Sequence, residues 1–95
     1  MRLPKKITIS GHELNIKYAD GLVEDGIECL GIYKEKEKTI YLKKGMGKVR
    51  KREVFIHEYM HFLEDIYGIL ISEESINNVS SGMVQLLLNP KINIF

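Results

Sequence analysis

The sequence is poor in several things, and each shortage excludes something. Cys29 is the only cysteine, so no intrachain disulfide can form and a reducing cytoplasm is the expected compartment. Two prolines, no tryptophan and 28% charged residues do not describe a disordered chain. No apolar run approaches the roughly 20 residues that cross a bilayer, so a membrane-spanning protein is not expected. The N-terminus, Met1 to Lys6, has no apolar core of the kind a signal peptide carries. Charge of one sign is missing as well. Fourteen basic residues face thirteen acidic ones, a net charge of +1 that selects no partner. With 95 residues and 44% hydrophobic content, the chain suffices for one domain, residues 1–95, and one core.

The first half reads as strands. Lys6-Ile7-Thr8-Ile9 is β-branched, Ser10-Gly11 offers a turn, and Leu14 to Tyr18 alternates apolar and polar residues. Asp20-Gly21 and Asp25-Gly26 punctuate a loop. Ile27 to Tyr33 is largely apolar, Lys34 to Lys38 is a solvated charged connection, and Thr39 to Leu42 is the next strand. A small antiparallel sheet of three or four strands is expected. The second half reads as helices. No Gly or Pro interrupts Val49 to Tyr67, and Gly68 is a natural stop. Ser72 opens a second helix as N-cap, with Glu73 and Glu74 in its first turn. That helix ends before Asn89-Pro90. The fold class is therefore α+β.

One motif carries chemistry: His57-Glu58-Tyr59-Met60-His61, an H-E-x-x-H inside the first helix. Residues four apart lie one turn apart on one helix face, so two imidazoles can converge on one metal ion. Zinc takes such nitrogen ligands, and a catalytic zinc site keeps a position open for water. A glutamate beside the first histidine can then take a proton from that water. The helical wheel gathers Phe55, Ile56, Tyr59, Met60, Phe62, Leu63, Ile66 and Tyr67 into an arc of about 160°. His57 and His61 fall on the other, polar side, so they line a surface or a cleft. His57, Glu58 and His61 are accordingly read as metal ligand, general base and metal ligand.

Two histidines leave a zinc site short of a ligand. His12 sits near a hairpin turn and is a minor candidate. Glu64 and Asp65 follow His61 on the same helix and suit the task of holding an imidazole better than that of a third ligand. Glu73 and Glu74 on the next helix remain. The wheel of that helix directs Ile76, Val79, Met83, Leu86 and Leu87 inward, with Glu73 at the stripe's margin and Glu74 nearly opposite. Glu73 is the expected ligand and Glu74 the alternative. Cys29 reads as a small apolar residue of the sheet. Were a peptide the substrate of such a centre, it would lie extended along an edge strand, for which Thr39 to Leu42 is the candidate. Tyr18, Tyr33, Tyr41 and Tyr67 are candidate donors to an oxyanion.

A strand-rich first half, an HExxH helix, a short loop and a glutamate-bearing helix resemble a minimal gluzincin. The arrangement is similar to the small phage-type zinc metallopeptidases near the ImmA/IrrE family. That likeness runs through Ile71-Ser72-Glu73-Glu74-Ser75-Ile76 and the ending Leu88-Asn89-Pro90. It implies bound zinc, hydrolysis by an attacking water, and a protein or peptide substrate. Small scaffolds of this kind also resemble inactive or zymogenic forms that bind a regulatory partner. A different class is a nucleic-acid-binding module. Lys43, Lys44, Lys48, Arg50, Lys51 and Arg52 form a basic run without an intervening acid. No stacking aromatics or Cys/His finger accompany it, so a solvated loop and helix start is the preferred reading.

Overall fold

The computed structural model describes residues 3–91. Strand β1 (Lys6–Ile9) turns through Ser10 and Gly11, both at positive φ (49° and 78°), into β2 (His12–Ala19). Such a two-residue turn matches the twist of a hairpin. A second, separate hairpin follows, β3 (Val23–Glu24) and β4 (Ile27–Glu28). Then come β5 (Gly31–Lys34), a short 3-10 turn at Glu35–Glu37, and β6 (Thr39–Lys43). The helices are α1 (Lys48–Tyr67) and α2 (Glu73–Leu88). No helix among the described residues is long and apolar enough to cross a membrane.

The α+β class and the order of sheet, helix, helix agree with the sequence pattern. The sheet differs in two respects. It is mixed, not wholly antiparallel: its order is β1-β2-β6-β5, and β6 runs parallel to β2, with Ile16 opposite Ile40. The long excursion through β3, β4 and β5 returns the chain to the sheet in the direction of β2. Thr39 to Leu42 is also interior, not an edge. β6 carries the more deeply buried residues, with Thr39, Ile40 and Leu42 at 0–2% exposure, so it takes the central place and leaves β5 at the rim.

The core lies between this sheet and α1. Leu14, Ile16, Ile40 and Leu42 project from alternate positions of β2 and β6 onto Val54 and Phe62 of α1. Tyr33 of β5 meets the Phe62 ring edge to face, 5.7 Å between centroids. Gly31 lets β5 approach α1 closely, since a Cβ there would stand 2.5 Å from Val54 Cγ1. Gly68, at φ 65°, ends α1 as expected. Ser72 caps α2 by accepting from Ser75 N at 3.1 Å.

The apolar stripe assigned to α2 is displaced. Ile76, Ser80 and Val84 are buried, whereas Val79, Met83 and Leu86 are 40–44% exposed. The buried face is turned by roughly 70° from the apolar one, at 3.6 residues per turn. That rotation brings the side of the helix bearing Glu73, Asn77 and Ser80 against α1.

Candidate metal centre

Successive turns of α1 present His57 and His61, with side chains 24% and 30% exposed. They line a cleft of about 830 Å³ between β5, α1 and the start of α2. Glu73 reaches both from across that cleft. Its Oε2 lies 3.4 Å from His57 Nε2, and its Oε1 lies 3.1 Å from His61 Nε2. One donor atom from each of the three residues falls within 4.8 Å of the others. His57, His61 and Glu73 can therefore hold a metal ion. The donor set, two imidazole nitrogens and a carboxylate, suits zinc and leaves a fourth position for water. Glu74 is exposed and is not part of the set.

The surroundings orient this set. Glu64, one turn beyond His61, places Oε1 at 2.7 Å from His61 Nδ1, so the Nε2 of that ring points to Glu73. Its other oxygen accepts from Ile71 N at 2.8 Å, which ties the loop between the helices to the same carboxylate. The Ile71 amide, followed by His61, holds the Glu64 carboxyl below its ordinary range. Asp65 does not touch the histidines. Burial pushes its carboxyl up, but hydrogen bonds from Lys38 and the Tyr33 hydroxyl outweigh this and hold it low.

Glu58 lies between the histidines and the sheet edge. Its side chain is 12% exposed, and its Oε2 stands 3.9 Å from His57 Nε2. Its Oε1 accepts from Tyr33 N of β5 at 3.0 Å. Burial pushes the carboxyl up to about 7, opposed by His61 and the Tyr33 amide and reinforced by Glu24 and Glu73. A carboxyl poised near neutrality takes and returns a proton readily. The Tyr33 contact also shows how the edge is set. Leu30 O accepts from Lys43 N on the β6 side, so Gly31 and Tyr33 turn their main-chain groups away from β6.

The other candidates are dispersed. His12 is exposed at the start of β2 and does not line the cleft. Cys29 is half-buried in the cleft wall, outside the metal set, and its thiol donates weakly to Leu22 O. Burial and the nearby Glu24 and Glu58 raise that thiol's pKa, which disfavours a thiolate ligand. Among the tyrosines, only Tyr33 lines the cleft, and its hydroxyl donates to Asp65 at 2.5 Å. Tyr41 donates to Glu37, Tyr67 pairs with Ser10, and the ring of Tyr18 lies beneath Lys51. Half of the basic run is engaged within the protein. Arg50 pairs with Glu53, Lys43 with Glu28, and Lys51 with that Tyr18 ring.

Two contributions escaped the motif. One is β5 as the edge that holds Glu58. A glycine inside the apolar run Leu30 to Tyr33 was the available signal, because such a glycine marks close backbone approach. The other is the polar side of α2, where Asn77 and Ser80 follow Glu73. Set against protein-family models, curated proteins and solved structures, the chain matches none.

Proposed function

We propose that this chain is a zinc-dependent metallopeptidase. The observation that supports this best is the convergence of His57, His61 and Glu73 within 4.8 Å, with Glu58 beside them. Zinc bound there would polarise a peptide carbonyl and acidify a water molecule toward a pKa of about 7. The chain's own residues supply the rest. His57, His61 and Glu73 hold the ion, and Glu64 fixes the ring of His61. Glu58 takes the proton of the attacking water and delivers it to the departing amine nitrogen. The Tyr33 amide steadies Glu58 for both transfers. The free edge of β5 offers main-chain groups to an extended peptide, and the substrate is a protein or peptide. A cytoplasmic setting suits the single cysteine.

The test uses zinc-loaded protein and an unstructured substrate such as casein, in water enriched in oxygen-18. Wild type should cleave and place one labelled oxygen in each new C-terminus. Glu58→Gln should keep its zinc and lose cleavage by at least about a hundredfold, the scale of a general base. Zinc held without cleavage by wild type would favour an inactive or zymogenic scaffold instead.

A further inference from the structure

A second recess, of about 400 Å³, adjoins the metal centre on the other side of His57 and Glu58. It lies between the first turns of α1, the start of β5 and the middle of α2. Val54 and Leu30 give it an apolar wall. Arg50 and Glu53 also line it, paired with each other at 2.7 Å, and His57 and Glu58 bound it toward the metal centre. The polar groups left over are Asn77 and Ser80. Ser80 is 2% exposed, and its hydroxyl has no hydrogen-bond partner among the described residues.

That hydroxyl calls for an explanation. A serine inside a helix ordinarily returns its proton to the carbonyl four residues back, or faces water. Ser80 does neither. Burying a hydroxyl without a partner is costly, and an alanine would fill the position without that cost. Ser80 also shares the α2 side that carries Glu73. The helix is turned so that this polar side meets α1, while Val79, Met83 and Leu86 remain partly exposed. The orientation that delivers Glu73 to the histidines delivers Asn77 and Ser80 to the adjoining recess.

We infer that this recess is a specificity subsite, which takes a neutral carboxamide side chain of the substrate, glutamine or asparagine, through Ser80 and Asn77. This rests on the peptidase reading above. A hydroxyl and an amide each donate and accept, as a carboxamide does. A charged side chain would find Arg50 and Glu53 already paired with each other and would lose its hydration. An aliphatic side chain would leave the Ser80 hydroxyl unpartnered.

The experiment uses four succinyl hydroxamates, bearing the side chain of Gln, Leu, Glu or Lys on the carbon next to the amide. The hydroxamate anchors on zinc and nothing is cleaved. Dissociation constants are measured by calorimetry on zinc-loaded wild type and Ser80→Ala, with zinc content measured on the same samples. The Gln compound should bind wild type about tenfold more tightly than the Leu compound, the scale of one or two net hydrogen bonds. In Ser80→Ala, that preference should vanish. Equal or tighter binding of the Leu compound to wild type, or a preference that survives in Ser80→Ala, overturns the subsite and leaves the metal centre standing. A wild type that binds zinc but none of the four, or takes up no zinc, overturns the peptidase reading and the subsite with it. Should Ser80→Ala not fold, the wild-type ranking decides alone.

Discussion

Helix α1 makes two contacts, and they are built differently. Toward the sheet it offers Val54 and Phe62, which meet Leu14, Ile16, Ile40 and Leu42 in a closed apolar layer. Toward α2 it offers imidazoles and carboxylates, and α2 answers with Glu73, Asn77 and Ser80 beside the buried Ile76 and Val84. Full burial of a leucine or methionine side chain is worth about 1.5–3 kcal/mol. α2 forgoes part of that at Val79, Met83 and Leu86. The first contact is arranged for stability. The second is arranged around three side chains able to hold a metal ion, and polar groups make up more of it.

The largest effect that would sharpen this contrast is expected on the sheet side. Phe62→Ala should cost about 3–5 kcal/mol, because the side chain is fully buried and closes the layer. Met83→Ser, on the exposed stripe of α2, should change stability by less than about 0.5 kcal/mol. Denaturant unfolding of both variants measures the gap. Equal losses would mean that the outer stripe of α2 is packed as firmly as the sheet side of α1.

The next effect belongs to the site and depends on pH. In metal-free protein the folded Glu58 carboxyl lies at about 7, above its ordinary 4.5. Below that ordinary value the group is protonated in both states. As pH rises through the window between the two values, the unfolded chain loses the proton first. Stability then falls, by on the order of 2–3 kcal/mol across the window. Glu58→Gln should remove this slope and make the metal-free protein more stable than wild type at pH 8. Thermal melts from pH 4 to 8 measure it. A slope unchanged in Glu58→Gln would assign the titration elsewhere.

A smaller effect is expected from Glu64, which touches the ring of His61 and the Ile71 amide without belonging to the metal set. Glu64→Gln should weaken zinc binding by about 10–100-fold, as removal of such a partner does. A zinc titration against a competing chelator reads it. An unchanged affinity would show that the His61 ring is held by the helices alone.

The same contrast divides what the sequence made legible from what it did not. Local geometry was readable. The four-residue spacing set His57 and His61 on one face, Gly68 and Ser72 marked the helix ends, and Ser10-Gly11 marked the hairpin. Alternation at Leu14 and Ile16 marked the core face of β2. Strand neighbours were not readable, because a strand's own pattern does not name its partners. The chain's return beside β2, parallel to it, is set by long-range packing, and so is the edge position of β5. The rotation of α2 was hidden for a related reason. A wheel ranks a helix's faces by hydrophobicity, and here polar groups on Glu73, Asn77 and Ser80 face the neighbouring helix. Glu73 was still placed on the correct side of Glu74, because it bordered the apolar stripe from the side that the rotation turned inward.

The central claim is that His57, His61 and Glu73 form one metal centre. It is tested most directly by zinc titration of protein purified without chelators, wild type beside His57→Ala, His61→Ala, Glu73→Gln and Glu74→Gln. Wild type and Glu74→Gln should bind one zinc per chain with similar affinity, while the other three variants lose most of that affinity, for His57, His61 and Glu73 form the one group placed to hold the ion among the described residues. Absence of zinc uptake by wild type, or a loss in Glu74→Gln with Glu73→Gln unaffected, would contradict it.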